Sequence, residues 1–533
     1  MAEDHTTTGM TMNTNKKLAK LRRVITENLR VQRGGADPVP YIDVANVLND
    51  ICARQNHAIF ARRGCGKTLL LHHSSTLLDS SIKAVYLNCE DFKKHSFPNV
   101  LIEILDKLFS ELEQYFSGWF AFGGKRRARK AIASIRNELS KLRTKADKQE
   151  QSIRESVAAE ASNSVGVTAA MSADRAGIKA HAGQAKRIKT ETERSYQILK
   201  DKVRELDDWL PRLKREIEKF FASSKSIKAI FIQIDDFYHL RRVDQPLVAD
   251  YIHRLCKDLP LYFKIATLRH ATTLYADREG QPIGAQERND YQPINIDFTF
   301  SNFPKTKEQN LQILRELGKL AGLERSDIDG LFKGEGFERL VIAGGGVPRD
   351  FLSLFLEVMG AVQNGPEDGR IGKDDVRILS RSNFERRIEE LKQDSNSGEQ
   401  DSLIRAIYVI RRFCIDKQTN VFLVSEQMMQ QRDDIRDLIY RLLDYRIIHS
   451  AGSALTHKSQ PGSYQSFAID IGCYAHLRKL HGRFNELYLA DPEIKENMRS
   501  APILDETAFD GIWQTMPSGA EAALKAEDVA EAA

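Results

Sequence analysis

The sequence predicts an α/β fold: a parallel sheet covered by helices, with a long helical insertion, a helical lid and a separate C-terminal unit. Three observations carry that expectation. Short apolar runs, Ala58–Phe60, Ala84–Leu87, Ala229–Ile234, Phe263–Leu268 and Ile294–Phe300, alternate with helical stretches, which is the rhythm of buried parallel strands. A glycine-containing turn that ends in lysine and threonine follows the first run and opens an apolar helix at Leu69–Leu71. Between Lys125 and Phe221 the alternation stops and apolar residues recur at steps of three and four, the period of helices that pair with other helices.

At 533 residues the chain exceeds one ordinary hydrophobic core, so two or three domains are expected. Apolar residues make up 41% and charged residues 29%, the balance of a soluble protein with highly charged parts. No apolar stretch approaches about 18 residues, so no spanning helix and no membrane partner are expected. The N-terminus lacks the apolar segment of a secretory signal. The six cysteines stand singly with no C-x-x-C, which argues against a disulfide framework or zinc ribbon and for a cytoplasmic location. The net charge of +5 is too small to argue for nucleic-acid binding; only local clusters of charge can.

In chain order, residues 1–36 form a polar N-terminal segment that ends in Gly34-Gly35-Ala36-Asp37-Pro38. A helix is expected over Val44–Gln55, inside a core formed by residues 37–124 and 222–300. The insertion, 125–221, reads as a coiled-coil hairpin. Ile135, Leu139, Leu142, Ala146 and Ile153 mark its first arm, and Leu199, Val203, Leu206, Leu210, Leu213, Ile217 and Phe220 its second. Pro211 should kink or restart the second arm. The Ala/Ser/Gly-rich tip, Ser164–Gly183, is either a flexible loop or a small hairpin. Residues 301–392 read as a helical lid broken at Gly344-Gly345-Gly346, followed by a polar linker at Gln393–Gln400. Residues 401–482 form a compact unit. Its helix, Leu403–Ile415, precedes a strand at Val421–Val424, short helices to Leu443, and strands at Arg446–His449 and Phe467–Ile471. Residues 483–533 are a tail whose Ala/Glu-rich end, Pro517–Ala533, is expected to fray.

The chemistry concentrates at Ala61-Arg62-Arg63-Gly64-Cys65-Gly66-Lys67-Thr68, followed by Leu69. Gly64 and Gly66 lack a Cβ, so the backbone can wrap a phosphate closely with its N–H groups turned inward. The helix that starts near Lys67 points its positive end at the same anion. Lys67 is suited to the β and γ phosphates of ATP, and Thr68 to Mg²⁺. The pattern departs from G-x-x-x-x-G-K-[ST] at its first position, Ala61. A phosphate loop of this kind needs a carboxylate at the end of a neighbouring buried strand. Ala229–Ile234 supplies one, since Asp235 and Asp236 emerge where ligands bind in open α/β sheets. Asp235 is expected to hold Mg²⁺, and Asp236 to orient or deprotonate the attacking water.

With these residues the chain resembles the AAA+ ATPases, in particular the initiator-like branch of origin-recognition and replication-licensing proteins. The resemblance covers roughly residues 36–125 and 222–365 and the C-terminal unit. It implies that Thr267, in Phe263-Lys264-Ile265-Ala266-Thr267-Leu268, is the sensor 1 residue. It makes Gly346-Val347-Pro348-Arg349-Asp350 the sensor 2 motif, with Arg349 reaching the γ-phosphate from the lid. It also makes residues 401–482 a winged helix, and the assembly a homo-oligomer. Asp236 stands where many members have glutamate, one methylene longer, which implies slow or partner-stimulated turnover. The family's arginine finger falls among Arg269, Arg278 and Arg288, with Arg288 ranked first.

Partner expectations follow from charge. Residues 125–155 carry eleven basic against four acidic side chains, so this arm either contacts phosphate backbones or is a solvated coiled-coil face. The recognition-helix equivalent, Asp433–Arg441, carries three aspartates against two arginines, which suits a protein partner at least as well as DNA. If DNA is bound there, His457 and Lys458 of the wing are better placed. The leading expectation is a Mg²⁺–ATP-dependent ATPase that switches conformation or assembly on DNA or a protein–DNA complex. The alternative is a nucleotide-loaded signalling switch that regulates an effector, as in bacterial defence. A third reading makes the ATP site structural.

Overall fold

The computed structural model describes residues 4–29, 40–114, 126–143 (except 128), 203–278 (except 225), 280–363, 369–394, 397–475 and 484–516 (except 492). The insertion tip at Ser164–Gly183, the outer parts of both arms and the end of the tail lie outside these residues.

The N-terminal segment contains a helix, α1 (Asp4–Asn28), which the polar composition concealed. Leu18, Leu21 and Ile25 lie at helical spacing and are buried against the lid. The helix expected at Val44–Gln55 shortens to α2 (Leu48–Ile51). Asn46 has φ 56°, which stops a helix from starting earlier. The Asp43 carboxylate instead takes the N–H groups of Val47 and Leu48, both at 2.9 Å.

The core elements follow as β1 (His57–Phe60), α3 (Lys67–Leu77), β2 (Ile82–Asn88) and α4 (Asn99–Gln114). The arm bases α5 (129–143) and α6 (203–223) come next, then β3 (Ala229–Asp235), α7 (Gln245–Cys256) and β4 (Leu261–Thr267). A hairpin of β5 (Tyr275–Arg278) and β6 (Gln281–Gly284) precedes β7 (Gln292–Asn295). The main sheet has five parallel strands in the order β2-β3-β4-β1-β7. Every residue of β3 is buried, as a central strand covered on both faces requires. The register pairs Asn88 with Asp235, so the ends of β2 and β3 lie side by side. The strand expected to run to Phe300 stops at Asn295, because Asp297 turns away to bind Arg62 and a 3₁₀ turn begins at Phe300.

The arm bases belong to the core rather than to a detached hairpin. Ile132, Ile135 and Leu139 of α5 and Leu206, Leu210, Leu213, Ile217 and Phe220 of α6 share one apolar cluster with α4 and β3. Helix α6 runs through Pro211 without a break, and its buried leucines hold it there. The arm's cations are drawn toward α4. Arg136 pairs with Asp106 (3.2 Å) and Glu113 (2.7 Å), and Arg143 with Glu103 (2.9 Å).

The lid consists of α8 (Phe303–Ala321), α9 (Arg325–Asp329), α10 (Gly336–Ala343), α11 (Pro348–Gln363) and α12 (Lys373–Asp394). Helix α13 (Ser397–Asp416) takes up half of the expected linker. The C-terminal unit continues with β8 (Val421–Ser425), α14 (Glu426–Gln431), α15 (Asp433–Asp444), β9 (Ile448–Leu455) and β10 (Tyr464–Ile469), whose sheet is antiparallel in the order β8-β10-β9. Much of the expected tail is part of this unit. Leu504 N–H bonds to Leu423 O at 2.8 Å, and α16 (Ile494–Met498) and α17 (Glu506–Thr515) bury Met498 and Phe509. Lid, α1 and C-terminal unit share one continuous apolar core, so they form a single body facing the sheet. All six cysteines are free thiols. Among the described residues, no helix is long and apolar enough to cross a membrane.

Candidate active site

The carboxyl ends of β1, β2 and β3 open into a cleft of about 570 Å³ between the sheet and the lid. Its floor is the turn after β1. Gly64 (φ 84°) and Gly66 (φ 89°) adopt a left-handed backbone, and α3 begins immediately after at Lys67. Gly64 has a second reason to lack a side chain: a Cβ there would lie 2.8 Å from Arg349 Cβ and 2.9 Å from Val347 Cγ1. The lid therefore closes directly on the turn, and the Arg349 N–H donates to Gly64 O at 3.3 Å.

Lys67 is buried at the centre of the floor, and its Nζ donates to Ala61 O (2.9 Å) and Arg62 O (3.2 Å). Burial lowers its pKa, opposed by the negative charges of Asp236 and Asp235. The Thr68 hydroxyl donates to Asp235 Oδ2 at 2.5 Å, the Tyr86 hydroxyl donates to the same oxygen at 2.7 Å, and the Asp236 N–H donates to Oδ1 at 2.9 Å. Burial and the like charge of Asp236 raise the Asp235 carboxyl above its ordinary value. Asp236 itself, at φ 51°, turns out of the strand and lines the cleft.

Of the residues singled out in sequence, Arg63, Gly64, Cys65, Gly66, Lys67, Thr68, Leu69, Asp236 and Arg349 line the cleft. Ala61, Arg62 and Asp235 sit directly behind it. Thr267 is not among the lining residues; it is fully buried and shares a 2.5 Å hydrogen bond with Thr272. Arg269 pairs with Glu287 at 3.1 Å and covers the Phe60 ring, while Arg288 occupies a left-handed turn with φ 70°.

The remaining walls were not foreseen. Asn28 at the end of α1, Leu29, Tyr41 and Ile42, and Gln309, Ile313 and Leu317 of α8 complete the lining. Glu390 of α12 lies near Arg349. Behind the floor runs a buried ionic network. Arg62 binds Asp297 with two guanidinium contacts (2.7 and 2.8 Å), donates to Gly345 O (2.9 Å) and meets His449 Nδ1 at 3.3 Å. Burial opposes the Arg62 charge, but the Asp297 pair outweighs it and holds the guanidinium above its ordinary pKa. Burial pushes His449 down to about 4. A guanidinium only donates, so His449 Nδ1 accepts and Nε2–H donates to Asp470 at 3.0 Å. Arg387 joins Asp470 to Asp350 (3.0 Å to the latter), and Arg446 joins Asp350 (3.2 Å), Glu390 and Arg63 O (3.1 Å). Individual charges in sequence give no sign of such pairings, because their partners are distant in the chain.

Helix α15 also turns toward the sheet. Asp437 pairs with Arg242 (3.1 Å), Tyr440 stacks on His270 (4.2 Å between ring centres), and Asp444 accepts the N–H groups of His270 (3.1 Å) and Ala271 (2.7 Å). Burial pushes the Asp444 carboxyl up to about 7, against those two donors and the distant charge of Lys67. The unfolded value is near 3.9, so this group's contribution to stability is fully present below that pH and is lost as pH rises through 7. The melting temperature is accordingly expected to fall between pH 4 and 7 through this group, and Asp444→Asn to flatten that slope. An unchanged slope in the variant would exclude Asp444 as its source.

Among the described residues, no group of three or more His, Cys, Asp or Glu is placed to hold a metal ion. Thr68 and Asp235 nevertheless supply the hard oxygen donors that suit Mg²⁺ when it also has phosphate oxygens.

No family model and no curated protein matches the sequence. The chain is similar to several solved structures. A Walker-type ATPase of Pyrococcus abyssi aligns at 12% identity over 84% of this chain and 99% of that one, with a TM-score of 0.39. The Orc1 protein of Aeropyrum pernix, solved in complex with DNA, aligns at 12% identity over 91% of each chain with a TM-score of 0.29. The RuvB Holliday junction branch migration motor of Thermotoga maritima aligns at 11% identity over 66% of this chain and 72% of that one, with a TM-score of 0.28.

Proposed function

We propose that the protein is a Mg²⁺-dependent ATPase of AAA+ type, in its initiator-like branch, whose nucleotide state sets the position of the lid and C-terminal unit. One observation carries the reading. The Thr68 hydroxyl and the Asp235 carboxylate, 167 residues apart in sequence, meet at 2.5 Å beside Lys67 at the base of the cleft. Two motifs that separately suggest a triphosphate thus converge on one place. The glycine turn and the N-terminus of α3 offer N–H groups to the phosphates, and Lys67 leaves two carbonyl oxygens to bind them. Thr68 and Asp235 would hold Mg²⁺, which when bound offsets charge on the β and γ phosphates. Asp236 orients a water toward the γ-phosphorus and takes its proton as the new P–O bond forms. The bond to the β–γ bridging oxygen breaks, and ADP leaves with the electron pair. Arg349, on the lid, meets charge on the γ-phosphate.

At the base end, Asn28 Nδ2 spends one of its two N–H groups on Val24 O at 2.8 Å, so its Oδ1 and its second N–H are left to pair with the amino group and N1 of an adenine. Gln309 is buried and lines the cleft, and its side chain makes no hydrogen bond among the described residues. Gln309→Leu is therefore expected to weaken ATP binding roughly two- to tenfold, the worth of one hydrogen bond. Binding of inorganic triphosphate should be untouched. Equal losses for both ligands would remove Gln309 from base recognition.

Titrating ATP with and without Mg²⁺, alongside turnover with and without DNA, tests the whole reading. Binding that needs Mg²⁺ and turnover that DNA stimulates support an initiator-like role. Retained nucleotide with negligible, DNA-insensitive turnover supports the switch. The switch reading has its own support in α15, whose Asp437, Tyr440 and Asp444 face the sheet side of the protein rather than a nucleic acid. The order helix, strand, two helices, two strands in α13–β10 supports a winged helix acting as an internal contact or a protein-binding module. DNA contact then falls to the basic arm or the wing. A homo-oligomer in the cytoplasm completes the proposal, tested by mass with and without ATP.

A further inference from the structure

Arg349 is the lid's one arginine on the cleft among the described residues, yet it is already engaged. Its Nη2 lies 3.5 Å from Glu390 Oε1, and its Nε lies 3.9 Å from Asp350 Oδ1. Both distances exceed the 2.7–2.9 Å of a tight charge-assisted hydrogen bond, so Arg349 is held loosely. The other oxygen of Glu390 binds Arg446 Nη2 closely. Arg446 belongs to the C-terminal unit, between α15 and β9, is 1% exposed, and donates to Arg63 O on the phosphate-binding turn. Arg349 and Arg446 also repel each other. One carboxylate thus serves two arginines, one at the phosphate end of the cleft and one seating the C-terminal unit on the turn.

We propose that Glu390 is a positioning residue that holds Arg349 back from the triphosphate, so that capture of Arg349 by a γ-phosphate tightens Arg446, and with it the C-terminal unit, on the phosphate-binding turn. The inference rests on the nucleotide-site reading above and names how that site is regulated. A γ-phosphate carries more negative charge than a carboxylate and draws Arg349 away. Glu390 then faces Arg446 alone, and the like-charged neighbour has moved off. ADP has no γ-phosphate and leaves Arg349 where it is. The two nucleotides therefore differ in how firmly the C-terminal unit is seated, which is the differential interaction a ligand-driven switch needs.

A double-mutant cycle on the full chain tests this, with ATP and ADP affinities measured in Mg²⁺ for wild type, Glu390→Gln, Arg349→Gln and the double variant. Glutamine keeps an acceptor for Arg446 but releases Arg349, so Glu390→Gln is expected to raise the preference for ATP over ADP about five- to tenfold. In the Arg349→Gln background the same change should have no effect on that preference. If the rise persists there, Glu390 merely repels phosphate and the proposal fails. It fails equally if Glu390→Gln weakens both nucleotides alike. Wild type that binds neither nucleotide would instead sink the nucleotide-site reading itself. Hydrogen exchange gives a second readout: amides of β9 should be protected more with ATP than with ADP in wild type, and equally in Arg349→Gln. Should Glu390→Gln not fold, Glu390→Asp retracts the carboxylate by one methylene from the looser partner and is expected to raise ATP preference in the same direction.

Discussion

Lys67→Ala is expected to lower ATP turnover roughly 10²–10³-fold, the range seen when one preorganised stabiliser of transition-state charge is removed. Lys67 is buried and now spends two of its three donors on the neutral carbonyls of Ala61 and Arg62, so a charged phosphate oxygen is a better partner than either. It is also the cation that balances Asp235 and Asp236. Without it, a triphosphate would enter a floor carrying two acids, so affinity should fall together with turnover. The fold should survive at a cost of about 1–3 kcal/mol for two carbonyls left unpaired, to be checked by melting. Turnover that persists at the wild-type rate in a folded variant would show that the nucleotide is handled elsewhere, or not at all.

The parts that sequence revealed are those whose cause is local. The glycine turn, the fully buried β3 and the two acids at its end owe their structure to neighbours a few residues away, and they sit where the sheet leads one to look. Where sequence failed, a distant partner had overridden a local preference. Asp297 ends β7 early because it binds Arg62, 235 residues away. The three aspartates of Asp433–Arg441 read as an unsuitable DNA-binding surface; in the structure Asp437 takes the distant Arg242, and Asp444, just beyond that stretch, takes two backbone N–H groups after β4. The arm bases kept a coiled-coil period, but period alone does not say which surface fills the seam, and here α4 does. The helix α1 went unread in the sequence, because its buried Leu18, Leu21 and Ile25 sit in a mostly polar segment. Glu390 and Arg446 had no motif at all; only the fold makes them neighbours of Arg349.

Arg387→Ala is expected to be among the most destabilising single changes in the lid and C-terminal body. Arg387 is 1% exposed and binds Asp350 and Asp470 together with the carbonyls of Arg446 and Ala343. It thereby ties α12 to α10, α11 and the turns on either side of β9 and β10. Removing one member of a buried ion-paired group costs about 3–5 kcal/mol, because the partners stay buried without compensation. At roughly 2–4 °C per kcal/mol, a melting transition should drop by about 6–20 °C. Burial raises the carboxyls of Asp350 and Asp470, but Arg446 and Arg387 outweigh it and hold them below the usual carboxylate range. A depressed folded pKa stabilises above the unfolded value and loses that contribution as pH falls through the folded one. The wild-type advantage over Arg387→Ala should therefore be full near neutrality and shrink below about pH 4. Adding Asp470→Asn to Arg387→Ala should recover part of the loss, because it removes one stranded charge while His449 Nε2–H keeps an oxygen to bind. A double variant no more stable than the single one would mean that Arg387 acts by packing alone, and that the ionic network behind the cleft does not hold the C-terminal unit in place.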